Sequence, residues 1–175
     1  RLKAFSAQAS IAIENAKLFD DVLNMKNYNE SILESLSNGV ITLDANYTII
    51  TCNRAGCCIL QTALEDIVGA SVHAYFAQDN DWIIKSIDRV LVSLMPDTTA
   101  DTEVSLPHGS RVSVNLTVVP LVNVKQDTIG AMLVLEDITH AKRVKNTLVR
   151  YMSKEVAEKM LEEGEDKLGG QTQEV

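Results

Sequence analysis

The sequence predicts an α+β domain in which two strands, a group of short helices and three further strands lie between two long helical ends. Three observations predict it. Residues 2–36 contain neither Gly nor Pro, and their apolar positions recur at helical spacing. Val112, Val114, Leu116 and Val118 alternate with Arg111, Ser113, Asn115 and Thr117, the two-residue period of a strand covered on one face. Residues 129–135 are apolar throughout, as in a strand covered on both faces. Hydrophobic residues at 46% and charged residues at 23% supply a globular core rather than a wholly disordered chain.

The opening helix carries a heptad seam. Ile11, Asn15, Leu18, Val22, Met25, Asn29, Ile32 and Leu36 step alternately by four and three. A helix of about 34 residues extends on the order of 50 Å, more than one small domain can cover. A second copy is therefore the expected partner, and Ile11, Leu18, Val22, Met25, Ile32 and Leu36 are its expected contacts in a homodimer. Asn15 and Asn29 either fix the register of that pairing or mark breaks between helices. A second stripe, Ala9, Ala12, Ala16, Phe19 and Leu23, broadens the apolar face, so part of this helix should meet more than one neighbour.

Ser37, Asn38 and Gly39 end the helical pattern. Residues 40–43 then read as a strand, 44–46 as a turn and 47–51 as the returning strand. Asn53 can cap a short helix running to about Leu60, because its side chain can accept from amides two or three residues on. Short helical or looped pieces follow to Ala77. Asp79 or Asn80 starts a longer helix with Ile83, Ile84, Ile87, Val90, Leu91 and Leu94 on one face, and Pro96 stops it.

Two strands, 99–106 and 111–119, are joined by Pro107-His108-Gly109-Ser110. Pro120 has no amide to donate and belongs at an edge, a bulge or a strand end. In the stretch 129–135, Ala131, Leu133 and Leu135 occupy one face and Met132 and Val134 the other, which puts this strand near the middle of a sheet covered twice. The inner helices provide one cover, and a flanking helix or the same helix of a partner chain the other. Helical spacing resumes from Asp137 with Ala141, Val144, Leu148 and Tyr151. Ser153 can cap a further helix, 154–162, with Val156 and Met160 on its apolar side. Gly164, Gly169 and Gly170 mark a flexible tail.

Composition excludes several roles. Sixteen basic against 24 acidic residues give a net charge of −8, which disfavours phosphate-backbone recognition and hence a nucleic-acid partner. The apolar run 129–135 is far shorter than the roughly 20 residues that cross a bilayer, so no membrane partner is expected within this segment. The opening residues lack the layout of a secretion signal, and the chain reads as a piece of a longer protein. Cys52, Cys57 and Cys58, odd in number and two of them adjacent, suit reduced thiols and a cytoplasmic location. His73, His108 and His140 are too scattered for a zinc site, and no cofactor is expected in this segment.

The run 39–56, GVITLDANYTIITCNRAG, the three closing strands and the terminal Asp137-Ile138-Thr139 together resemble a PAS domain over residues 29–139. The resemblance implies a five-stranded antiparallel sheet with short helices on one face, around a possible small-ligand cavity. It also implies that the D-I-T-like triplet passes directly into an output helix. Residues 2–22, LKAFSAQASIAIENAKLFDDV, resemble the closing helix of a GAF domain. Residues 150–175, RYMSKEVAEKMLEEGEDKLGGQTQEV, resemble the approach to a class III adenylate or guanylate cyclase domain. The implied layout is a helical linker over 1–28, the PAS domain over 29–139, a signalling helix or helix pair over 140–163, and a lead-in over 164–175 to a cyclase domain. The implied partners are an upstream GAF and a downstream cyclase domain of a bacterial receptor. Such a cyclase would use Mg or Mn ions held by strand aspartates, and because residues 150–175 stop short of those strands, no catalysis is expected here.

Candidate sites follow from the same reading. Tyr75, Phe76 and Trp82 are expected at the cavity rim and Ile41, Leu43, Val114, Leu116, Met132 and Val134 at its wall. Tyr75, Phe76, Trp82, Leu116 and Met132 are the candidate ligand contacts, set against ordinary core packing. Asp137 and Thr139 can cap a strand-to-helix junction, each favoured by about 0.3–1 kcal/mol near exposed helix amides, and are the candidate relay residues. Cys57 and Cys58 resemble a flavin-reactive segment only superficially and are read as buried small residues. His73 is read as a loop or capping residue rather than a haem ligand, and His140 as a solvated helix residue. No nucleophile and base pair up in the sequence.

Overall fold

The computed structural model describes residues 2–76 and 79–166. It opens with one unbroken helix, α1 (Leu2–Ser35), so Asn15 and Asn29 lie inside a helix and not at breaks. Then come β1 (Gly39–Asp44), β2 (Ile49–Cys52), three short helices, α2 (Arg54–Leu60), α3 (Leu64–Ile67) and α4 (Val72–Tyr75), and the longer α5 (Asp81–Ser93). The chain closes with β3 (Asp97–Ser105), β4 (Arg111–Val122), β5 (Thr128–Asp137) and α6 (Thr139–Asp166).

The strands form one antiparallel sheet in the order β2-β1-β5-β4-β3. The central place belongs to β5, as its two-sided apolar pattern predicts. Its register sets the core: Leu133 lies opposite Ile41 and Val118, and Leu135 opposite Gly39 and Leu116. Against this face the helices bury Leu60, Ile67, Val72, Phe76, Ile83 and Ile87, none more than 1% exposed. Each such aliphatic side chain contributes about 1.5–3 kcal/mol relative to exposure.

The same register corrects the expected cavity wall. Met132 lies opposite Thr42 and Val119, and Val134 opposite Val40 and Thr117, on the face turned away from the helices. Side chains alternate across a strand, so neighbours of Leu133 cannot share its face. Both are half-buried there.

Element boundaries move for local reasons. The Asp44 carboxylate accepts from the amides of Asn46 and Thr48, both at 2.9 Å, and Tyr47 takes a left-handed φ of 63°. The turn therefore runs longer than expected and β2 begins only at Ile49. Pro120 lies within β4, opposite Ala131, but the pairing of β3 with β4 stops at Val118, so its missing amide faces no neighbour. Gly130 approaches β1 so closely that a Cβ would lie 1.9 Å from the Leu43 carbonyl oxygen, with φ at 154°.

At the far end, α6 runs straight through Ser153, in place of the expected second helix. A serine amid Lys, Glu and Ala costs a helix little, and nothing between 153 and 163 breaks it. Gly164 falls inside α6, while Gly169 and Gly170 lie outside the described residues. Among the described residues no helix is long and apolar enough to cross a membrane.

Candidate functional site: the two junctions between sheet and long helices

Because Gly39 pairs with Leu135, the end of α1 and the start of α6 lie at the same end of the central strand pair. Each junction is held by specific side chains.

At the first, Asn53 caps α2 as expected, its Oδ1 accepting from the Gly56 amide at 2.9 Å. The same oxygen accepts from the Val40 amide at 2.8 Å, and Nδ2 donates to the carbonyls of Leu33 at 2.8 Å and Asn38 at 3.0 Å. One buried carboxamide thus ties β1 and α2 to the last turn of α1. The Arg54 amide donates to Glu34 Oε2 at 3.1 Å beside it. The capping function was readable from local spacing; the bonds across 13 to 20 residues were not.

At the second, Asp137 Oδ1 accepts from the Thr139 amide at 2.8 Å, and Thr139 Oγ1 accepts from the Ser113 amide at 3.2 Å. The Ile138 amide donates to the Ser113 carbonyl at 2.9 Å. The triplet therefore knots the start of α6 to β4, with Asp137 and Thr139 both accepting hydrogen bonds at this junction.

A further contact joins α6 to the edge of the sheet. Lys142 on α6 pairs with Asp101 at 2.7 Å. Asp101 sits at a bulge of β3 with φ of 52°, and its amide donates to Asn115 Oδ1, whose Nδ2 donates to Glu136. The hydrogen bond from Lys142 is the main reason the Asp101 carboxyl is held below its ordinary range, and the same bond raises Lys142.

Inside the domain, Phe76 is core, not rim, at 1% exposure. Tyr75 and Trp82 are half-buried against the same cluster and Leu116 is buried in it; Met132 is on the other face. Tyr75 stacks edge-on against Phe76, with ring centroids 5.1 Å apart. Its hydroxyl is buried without a hydrogen-bond partner, and burial pushes the phenol up despite the nearby Thr62 side chain. Asn80, the residue before α5, does not cap it with its side chain. Instead it is buried and exchanges hydrogen bonds with the backbone of Ser105, at 2.8 and 2.9 Å.

Outside the core, a cleft of about 560 Å³ lies between the end of α1, β2 and α3, lined by Leu33, Ile50, Asn53, Leu64 and Val68. Cys52 is buried and Cys57 half-buried, but Cys58 is exposed, unlike the buried role expected for it, because it lies on the solvent side of α2. His73 stacks on Tyr47, centroids 4.9 Å apart, and His140 is exposed on α6. Among the described residues no three or more His, Cys, Asp or Glu gather to hold a metal ion.

The family model described as PAS fold matches residues 33–143. No curated protein sequence matches the chain. Among solved structures it is similar to the PAS domain of a protein from Colwellia psychrerythraea, with a TM-score of 0.58 and 15% identity over 66% of this chain and 98% of that one. It is likewise similar to the PAS domain of nitrogen regulation protein NR(II) from Vibrio parahaemolyticus, with a TM-score of 0.52 and 18% identity over 63% and 97%. An RNA-binding light-oxygen-voltage receptor matches with a TM-score of 0.60 and 13% identity over 78% of this chain and 39% of that one. At such identities these likenesses speak for the fold alone. With the family match spanning the sheet, its short helices and both junctions, this chain belongs to the PAS fold family.

Proposed function

We propose that the chain is a dimeric regulatory module that relays conformational change between α1 and α6, and that in its parent protein the relay runs from a GAF domain to a class III nucleotide cyclase making cAMP or cGMP. The observation that carries the relay is the pair of junctions: both long helices meet the sheet at one end, and each is held there by buried or cross-strand hydrogen bonds. A change in the sheet therefore reaches both helices. The sequence resemblances at residues 2–22 and 150–175 support the proposed neighbours, and the cyclase would carry the Mg or Mn ions. The module itself regulates and does not catalyse. A coupling of about 1–3 kcal/mol would change output about 5- to 150-fold.

Inserting one residue between Thr139 and Val144 in the parent protein rotates everything downstream by about 100°. The relay predicts altered cyclase output that recovers as further insertions restore the register; output indifferent to all insertions contradicts it.

A second reading, in which the interior binds a small ligand or a haem or flavin cofactor, is favoured by the Tyr75 hydroxyl, buried with no partner. Native mass spectrometry and an absorption spectrum of the purified chain test it: a retained small molecule supports it, and a clear sample of protein mass alone contradicts it.

A further inference from the structure

Two of the cysteines lie side by side next to the α1 junction. Cys52 closes β2 and Cys57 lies on α2, and their sulfurs are 3.6 Å apart, with the Cys57 thiol donating to Cys52 Sγ. The Cys52 thiol in turn donates to the Asn53 carbonyl. The approach depends on Gly56: a Cβ there would lie 2.7 Å from Cys52 Sγ, so the absence of a side chain leaves the sulfur room against α2. Between the two cysteines in the chain is Asn53, the residue that fastens α1 to the sheet.

We infer that Cys52 and Cys57 form an oxidisable pair that closes to an intramolecular disulfide with a peroxide as oxidant, next to the α1 junction. The sulfurs need move only about 1.5 Å closer to reach bonding distance. Cys57, half-buried, meets the oxidant first, whereas Cys52 is buried. Its sulfur attacks the peroxide O–O bond, giving a sulfenic acid and one water. The Cys52 sulfur then attacks the Cys57 sulfur, the S–O bond breaks, and the departing hydroxide takes the Cys52 proton as a second water. Two thiols and one hydrogen peroxide become one disulfide and two waters, and two electrons pass from sulfur to peroxide. Burial holds the Cys52 thiol well above its ordinary range, so it attacks as a largely protonated group and closure, not the first oxidation, is the slower step near neutral pH.

The chemistry lies within one chain and stands whether or not that chain dimerises or binds a ligand. The test uses the 175-residue protein carrying Cys58→Ser, which removes the exposed thiol and leaves the pair untouched. After treatment with hydrogen peroxide and alkylation in denaturant, the expected product is about 2 Da lighter and resists alkylation. Digestion should yield a linked peptide joining positions 52 and 57, and dithiothreitol should restore both thiols. Oxygen added at Cys57 with Cys52 still alkylated, or no mass change at all, would overturn the inference. In the unsubstituted chain, a linkage using Cys58 instead of either partner would overturn it too.

Discussion

The carboxamide of Asn53 contacts backbone on three sides, and its geometry explains why no other side chain serves as well. Both its oxygen and its nitrogen are used twice, toward Val40 and Gly56 amides and toward Leu33 and Asn38 carbonyls, at 4% exposure. Asn53→Ala would leave buried donors and acceptors unpaired, each at about 1–3 kcal/mol. We expect a loss of about 3 kcal/mol, read as a lower urea midpoint. Asn53→Asp should be no better, because it keeps the acceptor and sets a carboxylate against two carbonyl oxygens. Gly130→Ala is expected to be at least as damaging. The new Cβ meets a β1 carbonyl at 1.9 Å and φ is 154°, so the central pairing must open. Thermal unfolding of the variant should show a transition many degrees lower, or an insoluble product.

Among the elements, legibility followed the range of the forces that shape each one. Alternation in β4 and continuous apolarity in β5 are local, and they placed both strands and the central position of β5 correctly. Which of two opposite faces meets the helices depends on how the whole sheet packs, and Met132 and Val134 lie on the face turned away from them rather than at the expected cavity wall. Asn80, Asp101 and Asn115 make hydrogen bonds across 14 to 25 residues, and no local pattern marks those bonds. The Asp101–Lys142 pair illustrates the functional cost of that blindness, since it is a direct side-chain tie between α6 and the sheet edge.

The sign of its pH dependence is fixed by the two shifts. The carboxyl of Asp101 is lowered below 3.8, so its contribution is present above that pH and is lost as pH falls through the lowered value. Lys142 is raised above 10.5, so its contribution is complete below that pH and is lost as pH rises through the raised value. Between those limits the tie is constant with pH and weakened by salt. In Lys142→Ala the Asp101 carboxyl should titrate at higher pH than in the unsubstituted chain, measured by carbon-detected NMR. An unmoved titration would dissolve the tie.

For the molecule as a whole, α1 is a long element whose apolar positions the described residues of its own chain leave largely uncovered. Ile11, Leu18, Val22, Met25, Ile32 and Leu36 are between 42% and 68% exposed, while the domain's own core is closed to water. Phe19, on the second stripe, is exposed as well. A helix of this length with so many bare apolar side chains offers the face that the proposed dimer would bury. Burying several of them at about 1.5–3 kcal/mol each can offset association costs of about 4–15 kcal/mol. In the proposed dimer a paired α1 would also give the Asn53 junction something rigid to act on, which would link dimerisation to the proposed relay.

Sedimentation velocity of the 175-residue chain at tens of micromolar tests this most directly, with Leu18→Asp and Val22→Asp introduced together as the comparison. The predicted result is a dimer for the unsubstituted chain and a folded monomer for the double variant. A monomeric unsubstituted chain, or a dimer that the two aspartates leave intact, would contradict the account.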